Sequence, residues 1–293
     1  MPKARVHGIQ LYYEEAGQGL PLVFVHEFAG DLQSWRPQMS FFSRRYRAIA
    51  FNARGYPPSD VPDDPAAYSQ QQAADDIRGL LDALGIARAH VCGLSMGGYA
   101  TLHFGLTFPE RALSLVVAGA GYGSGDREKF TRDSAVVVQR LEQGMEAVAD
   151  FYARGPTRVQ LQDKDPLGWQ AFRERLAAGS ARGHALTMQG VQMKRPSIFD
   201  LGERLQRLDV PTLVMTGDED DPCLEPALYM KRTIPTAALV VLPKSGHAIN
   251  LEEPDAFNRS VLDFLTLVDA GRWTPRNPAS LTDSAILPSG ATT

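Results

Sequence analysis

Val91-Cys92-Gly93-Leu94-Ser95-Met96-Gly97-Gly98-Tyr99-Ala100 is an apolar run, a Gly-x-Ser-x-Gly pentapeptide and the opening of a helix-compatible segment. A serine at this spacing, with a strand before it and a helix after it, can stand at the tip of a nucleophile elbow. In that turn the backbone is strained, and small neighbours let it pass close to strand and helix while the hydroxyl stands clear of the sheet. A Gly/Ser turn without chemistry has the same spelling. What separates the two is whether the rest of the chain supplies a base and an acid for the serine.

On either side of this stretch the chain alternates between apolar runs and amphipathic segments. Residues 5–15 alternate around Gly8 and read as two short strands joined by a turn. Residues 22–25 and 48–51 are short, wholly apolar runs of the kind covered on both faces in a sheet. A helix is expected near Ser34-Trp35 between them, and the proline-rich residues 52–59 must be loop. Ser69 with Gln72 spells a capping box, after which Ala73, Ile77, Leu80, Leu81 and Leu84 share one helical face and Gly85 closes it. Residues 89–92 form the strand into the pentapeptide, a helix runs on to about Phe108, and residues 113–118 are the sixth strand. This order calls for a mostly parallel sheet with right-handed crossovers.

From 119 to about 208 the rhythm changes to helical segments, the clearest at 136–141, 145–152 and 169–178. Strand and helix alternation then resumes with strands at 212–216 and 238–242, a helix at about 224–232, and a closing helix from Pro254 marked by Phe257, Val261, Phe264, Leu265 and Val268. The expected organisation is an α/β core of residues 1–121 and 209–271, a helical lid at 122–208, and a C-terminal tail at 272–293 that is poorly ordered or draped on the surface.

With 293 residues, 44% of them hydrophobic, the chain can bury a large core as one domain with an insertion. Its 30 basic and 34 acidic residues are interspersed, which gives no nucleic-acid footprint and no polybasic membrane anchor. The first residues lack the apolar core of a secretory signal and no apolar run reaches membrane-spanning length, so a cytoplasmic protein is expected. Cys92, Cys223 and the six histidines show no metal-ligand spacing, so no metal is expected.

In an open parallel sheet, functional groups gather at the carboxyl ends of the strands. Those ends carry His26-Glu27-Phe28, Arg54, Ser95, the acidic run Asp218-Glu219-Asp220-Asp221, and Ser245-Gly246-His247. A serine needs a base to become a nucleophile, and the base needs an acceptor on its other nitrogen. Ser95, an acid of the 218–221 run and His247 follow one another in the chain order that an elbow serine requires.

These stretches together resemble the α/β-hydrolase family, in the branch of esterases, enol-lactonases and C–C hydrolases with a helical lid. The resemblance runs from about Val6 to Val268 and rests on Gly93-Leu94-Ser95-Met96-Gly97-Gly98, on Gly217-Asp218-Glu219-Asp220, and on Ser245-Gly246-His247 followed by Glu252-Glu253-Pro254. It implies an α/β-hydrolase fold, with a mostly parallel central sheet flanked by helices and the lid inserted after the sixth strand. It further implies Ser95 as nucleophile, His247 as base and Asp220 as the acid, with Asp218 and Asp221 as alternatives. The backbone N–H groups of Phe28 and Met96 would form the oxyanion hole, and no cofactor is implied.

Two departures stand out. Where the family has His-Gly-x this chain has His26-Glu27-Phe28, and Asp-x-Arg-Gly-x-Gly-x-Ser appears as Asn52-Ala53-Arg54-Gly55-Tyr56-Pro57-Pro58-Ser59. A carboxylate aimed at the oxyanion would oppose catalysis, so Glu27 is expected either to turn away and pair with a nearby donor, Arg54 being the obvious candidate, or to reach into the pocket and bind a substrate hydroxyl or amine.

The lid brings Phe130, Phe151, Tyr152, Trp169, Phe172, Met188, Met193 and Phe199, enough for an apolar pocket, with Trp169 a substrate contact beside Glu27. The expected function is a serine hydrolase that cleaves a carboxylic ester or lactone of a small, largely apolar molecule through an acyl-enzyme. A C–C bond hydrolase on the same three residues, or a slowly turning-over small-molecule sensor, is the alternative.

Overall fold

The computed structural model describes residues 2–281, so residues 282–293 of the expected tail lie outside the described residues. Eight strands form one sheet: β1 (Lys3–Val6), β2 (Ile9–Ala16), β3 (Pro21–Val25), β4 (Arg47–Phe51), β5 (Ala89–Leu94), β6 (Ala112–Ala118), β7 (Thr212–Gly217) and β8 (Ala237–Leu242). Their spatial order is β1-β2-β4-β3-β5-β6-β7-β8. The β1–β2 and β2–β4 pairs are antiparallel and the remaining five are parallel.

The parallel strands look as they do because helices cover both faces. Every residue of β5 and β7 is buried, and two apolar cores result. One lies beneath the helices Gln70–Ala83 and Met96–Thr107, around Val91, Leu102 and Leu115. The other lies beneath Arg36–Phe42 and Pro254–Asp269, around Phe24, Trp35 and Phe257. The capping box before Gln70–Ala83 forms only by half. Ser69 Oγ accepts the N–H of Gln72, but the Gln72 amide donates to Asp76.

Between β6 and β7 no strand is found, as expected, and helices Arg127–Leu141, Met145–Ala153, Val159–Lys164, Pro166–Ala177 and Ala181–Thr187 pack into an insertion whose apolar cluster, around Phe172, Val148 and Leu176, also takes in Phe28, Tyr56 and Met96 of the α/β part. The first begins nine residues earlier than the sequence periodicity indicates, because Asp126 caps it by accepting the N–H of Lys129. After Asp269 the chain stays on the core: the Trp273 ring meets Phe264 at 4.6 Å and its Nε1 donates to the Thr236 carbonyl. Among the described residues no helix is long and apolar enough to cross a membrane.

Candidate active site

Ser95 sits between β5 and the helix Met96–Thr107 with φ +57° and ψ −112°. A non-glycine residue at positive φ is strained, and such strain persists only where the surroundings over-determine it. Here they do. A Cβ at Gly97 would lie 2.0 Å from the Val25 carbonyl oxygen, and one at Gly93 would lie 2.1 Å from that of Gly97. The Ser95 N–H donates to the Ala118 carbonyl at 2.8 Å, locking the turn onto β6. The pentapeptide therefore folds as an elbow.

His247 and Asp220 come from the loops after β8 and β7. His247 Nδ1 lies 2.8 Å from Asp220 Oδ2, and both side chains are buried. The turn holding His247 is fixed by Glu252, whose two carboxylate oxygens accept the N–H groups of Gly246 and Ala248 at 2.6 and 2.8 Å. Burial nevertheless raises the Glu252 pKa, against the pull of those two donors. The other acids of the run are engaged elsewhere: Asp218 accepts the N–H of Ser245, while Asp221 opens the helix Asp221–Thr233 and is exposed. Ser95 and His247 line one cavity of about 400 Å³. Ligand atoms of Asp220, Cys223 and His247 lie within 4.8 Å of one another. However, Asp220 and His247 are spent on each other, and burial holds the Cys223 thiol well above its usual pKa, hence protonated and a poor metal ligand.

Met96 is the first residue of its helix, where the N–H has no intrahelical acceptor and the helix dipole favours negative charge. The N–H of Phe28, in the loop after β3, has no acceptor among the described residues. That loop is clamped by His26, whose Nε2 accepts the Ala53 N–H at 3.0 Å while Nδ1 faces the Glu27 carbonyl at 2.7 Å. Burial lowers the His26 pKa and keeps the ring neutral, as the Nε2 acceptor role requires. The Tyr56 hydroxyl ties the loop further by donating to the Phe28 carbonyl at 2.8 Å. The unusual Asn52 serves the same loop region: its Oδ1 accepts the Leu32 N–H and its Nδ2 donates to the Pro57 carbonyl, a bond an aspartate could not make.

Two expectations need correction. Glu27 turns away from the cavity and pairs with nearby donors, as one of the two expectations had it, but Arg54 is not among them. Arg54 is taken by Asp76 through two hydrogen bonds of 3.0 and 2.8 Å. Glu27, only 1% exposed, points behind its loop, where Oε1 accepts from Ser34 Oγ at 3.1 Å and lies 3.5 Å from Nη2 of Arg158, a residue of the insertion. Trp169 is also absent from the cavity wall, since its Nε1 donates to the Ala153 carbonyl and its ring packs among the insertion helices. Of the other apolar residues expected there, Phe130, Phe151, Tyr152 and Met188 line the cavity; Phe172, Met193 and Phe199 do not. Sequence reasoning missed the charged wall formed by Lys129, Asp133 and Arg195. No motif marks these residues, and only the packing of the insertion brings them together.

The chain matches the family model described as alpha/beta hydrolase fold over residues 21–254. It is 29% identical over 256 residues to 3-oxoadipate enol-lactonase 2 of Acinetobacter baylyi, covering 86% of this chain and 92% of that one. It is also 29% identical over 271 residues to the 2-hydroxy-6-oxo-6-phenylhexa-2,4-dienoate hydrolase of Burkholderia cepacia, covering 87% and 91%. Among solved structures, the enol-lactonase from Burkholderia xenovorans LB400 superposes with a TM-score of 0.79 at 27% identity, covering 90% of this chain and 100% of that one. A thermophilic esterase from Thermogutta terrifontis does so with 0.80 at 27%, covering 91% and 98%. The elbow, the acid and histidine loops after β7 and β8, and the matched sequence thus agree, and the chain belongs to the alpha/beta hydrolase fold family.

Proposed function

We propose that the protein is a serine hydrolase that cleaves a carboxylic ester or lactone of a small, largely apolar molecule, with Ser95 as nucleophile, His247 as base and Asp220 as its orienting acid. The observation that carries this is the buried His247–Asp220 bond of 2.8 Å on the same cavity as a serine held at positive φ. Asp220 on Nδ1 leaves Nε2 as the basic nitrogen. Nε2 takes the Ser95 Oγ proton as the oxygen attacks the substrate carbonyl, and the carbonyl π pair moves onto oxygen. The N–H groups of Met96 and Phe28 receive that oxyanion, two fixed donors for charge that appears only in the transition state. Collapse expels the alcohol, which takes the proton from Nε2 and leaves Ser95 acylated. Water then repeats the sequence through the same base and releases the acid.

Residues 122–208 act as a lid, whose Phe130, Phe151 and Tyr152 give the cavity an apolar wall. The names of the relatives support acyl chemistry on lactones and esters, and the dienoate hydrolase supports C–C cleavage on the same residues as a second reading.

A panel of p-nitrophenyl esters, an enol-lactone and a vinylogous diketone, each with wild type and Ser95→Ala, tests the proposal. Esters or lactones turn over fastest, and Ser95→Ala lowers kcat by roughly 10^4-fold or more. Retention of activity in Ser95→Ala sinks the assignment, and a diketone cleaved faster than any ester replaces the first reading with the second.

A further inference from the structure

The peptide unit between Glu27 and Phe28 carries an N–H with no acceptor among the described residues, so whatever fixes that unit aims the donor. Its other end is gripped at the Glu27 carbonyl, which accepts the Gly30 N–H at 3.2 Å and lies 2.7 Å from His26 Nδ1. In a trans peptide the C=O and N–H point in opposite directions, so this grip turns the Phe28 N–H to the far side of the unit. A planar unit held at one oxygen can still tilt about the bonds that flank it.

The Glu27 side chain limits that tilt. Its Oε1 accepts from Ser34 Oγ at 3.1 Å and lies 3.5 Å from Arg158 Nη2, while Oε2 has no partner, so the whole hold is on Oε1. On the remaining side the carboxylate abuts Gly30, where an added Cβ would collide with Glu27 Cδ and Oε1. A glycine, the residue of the family pattern at this position, has no side chain to anchor and turns freely. This chain has an anchored glutamate instead.

Arg158, the far end of the anchor, is itself immobilised. Its Nη1 donates to the Thr157 carbonyl at 2.8 Å and its backbone N–H to the Gly155 carbonyl at 3.0 Å. The guanidinium lies 4.5 Å from the centre of the Phe172 ring and 5.8 Å from that of Tyr152, and the Tyr152 ring meets the Phe28 ring at 5.9 Å. Tyr152 and the stretch Gly155, Pro156 and Thr157 just before Arg158 line the Ser95 cavity. The cavity wall and the loop bearing the donor are thus joined twice, through the ion pair and through the two rings.

We propose that Glu27 is a positioning residue for hydrolysis at Ser95: anchored to Ser34 and to Arg158 of the insertion, it holds the Glu27–Phe28 peptide with its N–H on the oxyanion. This rests on the serine-hydrolase reading above and adds to it a side chain that lines no part of the cavity. The anchor acts on the geometry of a donor, and that donor matters only once the carbonyl oxygen has become negative. Its loss therefore shows in kcat and leaves KM almost unchanged.

The test follows kcat, KM and urea unfolding together, on the ester or lactone that wild type turns over fastest in the panel above. Glu27→Gln, which keeps the shape of the side chain and removes its charge, is expected to lower kcat about 10- to 100-fold with KM within about threefold of wild type, the range for a displaced donor. Adding Arg158→Met restores part of the stability, since no charge is left buried alone, yet kcat stays at the low value. A pair that served only the fold would regain activity together with stability. Ser34→Ala keeps both charges, loosens one hold on Oε1 and is expected to lower kcat about 3- to 10-fold. A trifluoromethyl ketone, whose carbonyl carbon takes the Ser95 oxygen to give a tetrahedral oxyanion, loses affinity for the double variant by the same factor as kcat/KM, and the methyl ketone of equal chain length does not.

Wild-type kcat in the folded double variant or in Ser34→Ala overturns the proposal, and so does a loss confined to KM. Either result beside Ser95-dependent turnover by wild type leaves the serine-hydrolase reading standing and removes only the role of Glu27. A panel without turnover, or turnover kept in Ser95→Ala, overturns both.

Discussion

Arg158 and Arg195 both come from the helical insertion, both are almost fully buried, and both lie against aromatic rings, yet they meet opposite electrostatic circumstances. Arg158 stands 4.5 Å over Phe172, donates to the Thr157 carbonyl and faces the Glu27 carboxylate at 3.5 Å. Arg195 stands 3.6 Å over Tyr99, donates to the Tyr122 carbonyl and faces no carboxylate among the described residues. Arg158 does not line the Ser95 cavity, while Arg195 does. A buried charge with its counter-charge supplied by the same chain is architecture: it ties the insertion to the loop bearing the Phe28 N–H. The second charge is held by a ring face and one carbonyl alone. The unusual Glu27 thereby acquires a reason, since it is the partner that makes Arg158 tolerable behind the loop.

The largest effect that could break this comparison lies in the Glu27–Arg158 pair. Removing one member leaves the other charge buried and unpaired, which costs about 3–5 kcal/mol. Glu27→Gln and Arg158→Met are each expected to lose stability on that scale in urea unfolding. The double variant should lose less than either, because no charge is then left uncompensated. Additive losses would mean that the two side chains do not sense each other, and that Arg158 is as unpaired as Arg195.

The sequence made the constellation of Ser95, Asp220 and His247 legible and left its surroundings obscure, for a physical reason. Ser95, Asp220 and His247 sit in the turns and loops that follow β5, β7 and β8, whose ends the sheet sets, so chain order and turn glycines locate them. The strands were readable because burial on both faces forces apolar runs such as residues 22–25 and 213–215. The partner of Glu27 was not legible because it lies 131 positions away in a region with no sheet to fix it. Arg54 looked available only because the Asp76 that claims it, on the helix Gln70–Ala83, carries no distinguishing mark. Trp169 fails similarly: an aromatic on a short helix can face the cavity or the helix beside it, and periodicity does not tell which. The short helices Val159–Lys164 and Ala181–Thr187 escaped notice because they depend on tertiary packing rather than on local propensity.

A smaller effect sharpens the idea that the Glu27 side is tightly built. A Cβ on Gly30 would stand 2.4 Å from Glu27 Cδ and 2.5 Å from Ser34 Oγ. Gly30→Ala is expected to cost about 2 kcal/mol by crowding the carboxylate away from Arg158. In a background of Glu27→Ala, Ser34→Ala and Arg158→Met the same change should fall within about 0.5 kcal/mol of neutral in urea unfolding, since both obstructing groups are gone. An equal loss in both backgrounds would place the crowding elsewhere.

The smallest effect asks whether the side of the Phe28 loop tolerates a new cation. His184 packs against Phe28 and Tyr56, with ring centroids 5.4 and 4.6 Å away, and burial pushes its pKa down to about 4. Its Nδ1 meets the Ser180 carbonyl, while Nε2 has no partner among the described residues. In the unfolded chain the ring regains an ordinary value near 6.5. Below that pH the unfolded state binds the proton and the folded state does not, so stability is held above about 6.5 and drains as pH falls toward 4. Wild type should therefore lose about 1 kcal/mol more than His184→Gln between about pH 6.5 and 5.5, measured by urea unfolding at each pH. Parallel pH profiles for the two proteins would mean that this ring charges freely in the fold, and that the loop side can hold an unpaired cation as the Arg195 wall does.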